Sequence, residues 1–172
     1  MTLYYKIIDG AKQYIESDVE IDDAFKADEQ EAKTYELEKI KKTKIAEIKA
    51  IRDSKNIEPI TDIQALILNE DGTSTGQSSY FIFYTSRHPT NPASDPSSIL
   101  TGAVVLNLTI PYSTNSTSGE KIIAALTPEI ARTISAKLML RNNQNYKLFD
   151  VIEASVKAAS SIEEVEAITW QN

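Results

Sequence analysis

Charge is spread so unevenly along these 172 residues that the chain has to change structural type partway. From Glu16 to Glu58, 22 of 43 residues are charged, 13 acidic and 9 basic. From Thr73 to Gly119 only Arg87 and Asp95 are charged, and Ser and Thr abound. Such a step separates a charge-rich helical arm from a β-rich module. The expected fold is α+β: an N-terminal strand or hairpin (1–21), a long charged helix (22–56), a small antiparallel sheet in a β-rich module (57–119) and a C-terminal helical cap (120–172). Together these make one compact domain with an N-terminal arm.

The local signals support that order. Leu3–Ile8 is aromatic and β-branched and stops at Asp9-Gly10, a strand followed by a hairpin turn, with a second short strand near Gln13–Val19. Asp22 to about Lys55 contains no Gly or Pro and is dominated by Ala, Glu, Lys and Leu, all strong helix formers. Leu37, Ile40, Ile48 and Ile51 share one helical face, interrupted by Lys41 and Lys44, so a strict coiled-coil seam is not assured. Residues 16–38 hold ten acids and two bases, and 39–55 hold seven bases and two acids, an order that complements the helix dipole. The apolar face needs a cover, either a sheet of the same chain or a copy of the helix. Pro59 ends the helix.

Ile63–Leu68 reads as a strand, Asn69–Gly76 as a turn, and Tyr80–Thr85 as the strongest strand of the chain. Its alternation puts Phe81 and Phe83 on the core face, with Tyr80, Ile82 and Tyr84 on the other. The two tyrosines are either ordinary edge residues or a platform for sugar or protein contacts. Arg87–Ser98, with Pro89, Pro92 and Pro96, reads as a long irregular loop, Ile99–Ile110 as a further strand, and Pro111–Gly119 as polar loop. Thr127-Pro128-Glu129 opens a helix carrying Ile130, Ile134 and Leu138, which Arg141–Asn145 breaks. A second helix from about Tyr146 to Ala159 buries Leu148, Phe149, Ile152 and Val156. A third opens at the capping box Ser161-Ile-Glu-Glu164 and carries Val165, Ile168 and Trp170.

The inventory of chemical groups is thin. With no cysteine, disulfides, Cys-ligated metals and thiol catalysis are excluded. With His88 as the only histidine, a His₂ or His₃ site is excluded too. His88 lies in the proline-rich loop, where Asp95 is the only acid nearby. Ser113, Ser116 and Ser118 stand in no nucleophile-elbow pattern. Asp18, Glu20, Asp22 and Asp23 cluster, but without the glycine and terminal glutamate of a calcium loop. We therefore expect no catalytic, cofactor-binding or metal residues, no cofactor and no enzyme. A net charge of −7 argues against nucleic acid as a partner. No apolar run approaches the roughly 20 residues of a membrane span, and the N-terminus lacks a secretory pattern. The expectation is a protein made in a cytoplasm and remaining soluble.

Three stretches carry a family resemblance. Lys44-Ile-Ala-Glu-Ile-Lys-Ala-Ile-Arg-Asp53, the run from Leu126-Thr-Pro-Glu-Ile to Ile152-Glu-Ala-Ser-Val-Lys-Ala-Ala, and Ser161-Ile-Glu-Glu-Val-Glu-Ala-Ile-Thr-Trp170 resemble an uncharacterised domain of tailed-bacteriophage tail-fibre and tail-assembly proteins. Tyr4-Tyr5-Lys…Asp9-Gly10 is similar to the starts of such proteins. The resemblance covers about 44–58 and 120–170 and leaves the β-rich middle unmatched. It implies a virion component of a phage tail, assembled in the host bacterial cytoplasm. Its partners would be copies of itself or other tail proteins, and a host-surface glycan or protein. An intracellular tail-fibre assembly chaperone is the alternative. A polysaccharide-active enzyme is weaker, since it needs paired carboxylates and Thr73–Gly119 offers Asp95 alone.

Overall fold

The computed structural model describes residues 1–86 and 95–171. The fold is α+β, with four helices and two small antiparallel sheets among those residues. The chain divides into two compact units, one of residues 1–48 with 151–172, the other of 49–150.

In the first unit, strands β1 (Thr2–Ile8) and β2 (Ala11–Ser17) form a hairpin. Its two-residue loop, Asp9-Gly10, has both φ angles positive (51° and 77°), the twist that a tight antiparallel hairpin requires. The short strand β3 (Phe25–Lys26) pairs on the other side of β1 and completes the sheet order β2-β1-β3. Helix α1 (Glu29–Asn56) starts seven residues later than the composition suggests. The reason is a capping box one residue upstream. The Asp28 carboxylate accepts from the Glu31 amide (2.7 Å), and the Glu31 carboxylate accepts from the Asp28 amide (3.2 Å). Asp22 and Asp23 precede it in a turn, Asp23 at a positive φ of 59°.

The sheet packs on the first half of α1 through an aromatic row. Phe25 stacks on Tyr5 (5.5 Å between centroids), Tyr5 meets Tyr14 edge-on (6.0 Å), and Tyr14 meets Tyr35 of α1 (5.2 Å). Ion pairs Lys12–Glu31 and Lys39–Glu16 (2.6 Å) tie β2 to the helix. Ile48 is buried and Leu37 and Ile40 are half-buried, so the face offered as a possible seam is largely covered within the chain; Ile51, in the second unit, is exposed. Lys41, which interrupts that face, is itself buried and donates to the Lys157 carbonyl at the end of α3 (3.1 Å).

Helix α3 (Pro128–Ala158) is one helix of 31 residues, which corrects the expected break at Arg141–Asn145. The polar run stays helical because its side chains have work in the second unit. Arg141 donates to the carbonyls of Asn56 and Glu58, and Asn145 Nδ2 donates to Asn56 Oδ1 (2.8 Å), which closes the end of α1. Helix α4 (Ile162–Ala167) starts where expected, with Ser161 Oγ accepting from the Glu164 amide (3.2 Å). The Glu164 carboxylate reaches one residue further back, to the Ser160 amide (2.7 Å) and hydroxyl. Ile134, Phe149, Ile152, Val156 and Val165 are buried; Leu138 and Trp170 are half-buried.

The second unit holds a rolled sheet of order β5-β4-β7-β6, built from β4 (Ile60–Leu68), β5 (Ser74–Phe83), β6 (Ile110–Asn115) and β7 (Lys121–Leu126). A bulge between Ile60 and Ile63 bends β4 and helps it curl. The two outer strands then meet. Phe81 bridges Ser116, the Thr117 amide donates to the Tyr80 carbonyl (3.1 Å), and Thr114 Oγ1 donates to the Ile82 carbonyl (2.5 Å). Phe81 and Phe83 are fully enclosed, and both contact the Tyr112 ring. Helix α2 (Pro96–Val105) and α3 fill the concave side with Leu100, Ala103, Ala131 and Ile134.

Three expectations are corrected in this unit. The stretch 120–172 does not open as helical cap, since Lys121–Leu126 is strand β7, paired between β4 and β6. Ile99–Ile110 is not a strand, since residues up to Val105 are α2. Asp95 caps that helix by accepting from the Ser97 amide (2.9 Å), and Pro96 takes its first turn. Pro111–Gly119 is not all loop, since Pro111–Asn115 lies in β6 and Ser116–Gly119 is the hairpin turn to β7. The expected loop Arg87–Ser98 lies outside the described residues over 87–94, and its last three residues open α2.

Candidate functional site

Among the described residues weighed for catalysis, only Ser116 and Ser118 share a hydrogen bond, and neither meets an acid of the set. Asp18, Glu20, Asp22 and Asp23 are all exposed on the approach to β3. Asp95 is a helix cap. Ser116 is buried in the β6–β7 turn, sharing a 2.8 Å hydrogen bond with the Ser118 hydroxyl and accepting from the Glu120 amide (3.0 Å); Ser113 is exposed on β6. His88 lies outside the described residues. Among the described residues no group of three His, Cys, Asp or Glu side chains is placed to hold a metal ion, and no helix is long and apolar enough to cross a membrane.

What the rolled sheet does build is an outward groove of about 730 Å³. It is lined by the apolar side chains of Ile67, Leu68, Ile122 and Ile123 and by the polar ones of Tyr84, Ser113, Asn115, Lys121, Asn69 and Glu70. Register explains the mixture. Leu68 stands opposite Ile123, and Ile123 opposite Ser113, so one row crosses three strands from apolar to polar. Closure of the sheet brings Tyr84 to this row. Its hydroxyl accepts from Asn115 Nδ2 (3.2 Å), and its amide donates to the Tyr112 hydroxyl (3.3 Å). Burial pushes the Tyr112 phenol above its ordinary range, so it stays protonated and serves as a neutral strut.

Tyr84 is 43% exposed and Tyr80, on the convex side of β5, is 48% exposed. The alternation read from the sequence therefore places the phenylalanines and tyrosines correctly, and only Tyr84 reaches the groove. The groove residues of β6 escaped the sequence reading because Pro111 suggested loop, and those of β7 because 120–172 was expected to be helical cap. The usable signal was the alternation of Tyr112 and Thr114 with Ser113 and Asn115. Chemically, the groove offers apolar side chains, the two amides of Asn69 and Asn115, hydroxyls, a half-exposed phenol and one charge of each sign. Among the described residues, Glu70 is the one carboxylate lining it. No family model, curated protein or solved structure matches the chain.

Proposed function

We propose that this protein is a non-enzymatic structural component of a bacteriophage tail, fibre- or baseplate-associated, that supports attachment to the host surface. The observation that carries the reading is a division of labour along the chain. The segments that resemble the tail-fibre domain take in most of α3, all of α4, the end of α1 and strand β7, whereas the unmatched middle supplies the other three strands of the rolled sheet, β4, β5 and β6, and helix α2. A charge-poor surface with an aromatic ring, amides and hydroxyls beside apolar side chains suits a glycan or a neutral protein surface. The chain would sit in the virion, assembling with copies of itself or with other tail proteins.

Mass spectrometry of purified virions tests this reading. A fixed copy number per tail is the expected result. Absence from particles together with abundance in infected cells would refute it and favour the assembly chaperone.

A further inference from the structure

The three-stranded sheet of the first unit has two unequal edges. On one side β3 is only two residues long and offers little to pair with. On the other, β2 runs for seven residues and, among the described residues, pairs with β1 alone. The hairpin geometry fixes which backbone groups that edge presents. Across the Asp9-Gly10 turn, Ile8 and Ala11 form the closing hydrogen-bonded pair, and in an antiparallel ladder such pairs alternate with open ones. Gln13 and Ile15 therefore spend their amides and carbonyls on β1. Lys12, Tyr14 and Glu16 direct theirs outward.

We propose that β2 is a homodimer interface, in which the β2 edges of two copies pair antiparallel about a two-fold axis at Tyr14. In this register Tyr14 faces Tyr14 of the second copy, and Lys12 faces Glu16 in both directions. All three outward-directed residues are used at once, and the sheet continues through six strands. The charges select the register. Lysine on an edge normally discourages pairing, but here Lys12 and Glu16 lie symmetrically about Tyr14, so each meets its opposite. A parallel arrangement would put Lys12 beside Lys12. A shift of two residues would leave charges unmatched. A shift of one would demand groups already bonded to β1.

Both side chains are held in place beforehand. Lys12 pairs with Glu31 and lies 4.0 Å from the Tyr5 ring centre, and Glu16 pairs with Lys39 at 2.6 Å. Their side chains keep 40% and 28% exposure, so each can take a second partner. Across the axis the order would be Glu31, Lys12, Glu16, Lys39, with signs alternating throughout. The inference names a surface for self-association and does not depend on the tail reading, because it is tested on the purified full chain.

Sedimentation velocity over micromolar to submillimolar concentration should show a monomer–dimer equilibrium. Lys12→Glu and Glu16→Lys should each weaken the dimer roughly tenfold, because each creates two like-charge contacts. Mixed one to one, the two variants should restore a dimer, since the only complementary pairing left is between them. A wild-type monomer at the highest concentration, or a mixture no more dimeric than its components, overturns the proposal. If either variant fails to fold, hydrogen exchange on the wild type decides. The amides of Lys12, Tyr14 and Glu16 should slow with concentration while those of Gln13 and Ile15 stay protected throughout. Equal rates for the first three at both concentrations would equally reject it.

Discussion

Phe149 is the most informative position at which to test the packing of the second unit. It lies on α3, is 9% exposed, and its ring centre is 4.7 Å from the guanidinium carbon of Arg52. Arg52 is itself buried, packed also over Tyr146 (4.5 Å) and bonded to the Asp53 carboxylate through Nε (2.9 Å) and Nη2 (2.6 Å). Truncating Phe149 to alanine removes an enclosed aromatic ring and leaves a cavity, which costs about 3–5 kcal/mol. Of that, roughly 0.5–2 kcal/mol is the attraction between ring and guanidinium, because Arg52 keeps only one aromatic face. For a chain of this size the loss corresponds to a fall in Tm of about 6–20 °C. The assay is urea denaturation followed by circular dichroism at the helix band, with Val151→Ala beside it. Val151 is two residues along the same helix and 64% exposed, so its truncation should change stability by no more than about 0.5 kcal/mol. Equal midpoints for the two variants would refute the packing argument, because then neither enclosure nor the Arg52 contact contributes.

Two further outcomes follow from the polar contacts. Asp28→Ala should cost about 1 kcal/mol and fray the first turn of α1, read as faster amide exchange at Glu29–Glu31, because it removes the acceptor of the Glu31 amide. The Asp62 carboxyl is held below its ordinary range by the hydrogen bond from Lys137 Nζ (2.6 Å), so its contribution is present above the unfolded-state value of about 3.9 and is lost as pH falls through the lowered one. Urea midpoints of Asp62→Asn and wild type should therefore differ slightly at neutral pH, converge in acid, and also converge in high salt, since the pair is exposed.

Which parts of this fold were legible depended on whether a local signal acted alone. The Asp9-Gly10 turn needs nothing but its own φ angles, and the Ser161–Glu164 box needs only its own turn of helix; both stand where the residues put them. Phe81 and Phe83 were legible because period-two alternation survives in any sheet. Helix α2 was not, although Asp95-Pro96 is the same kind of start as Thr127-Pro128. The β-branched run Ile99–Val105 outweighed it, whereas in the structure that run is helical and faces the core with Leu100 and the fully buried Ala103. Arg141–Asn145 misled for the opposite reason. Its polar side chains are paid for by the end of α1, some 85 residues away in sequence, and no local pattern announces that. The groove was invisible on the same ground, because Tyr84 and Asn115 meet only after the sheet has curled.

That curl also gives the charge step a physical reason, and the reason can be tested at Thr114. β5 and β6 are the outer strands of their sheet, and both fall within the nearly uncharged stretch Thr73–Gly119. Open edges are usually guarded by charge, but edges that close on each other need no guard. Thr114→Val keeps the side-chain shape and removes the hydroxyl that donates to the Ile82 carbonyl across the seam. The direct cost is about 1–3 kcal/mol. The larger consequence is that an opened seam exposes two uncharged strand edges, so the variant should aggregate on mild heating well before its helices melt. Light scattering and circular dichroism recorded on one temperature ramp separate the two events. Loss of stability without earlier scattering would mean that the seam is a packing contact only, and that the absence of charge from this stretch has another cause.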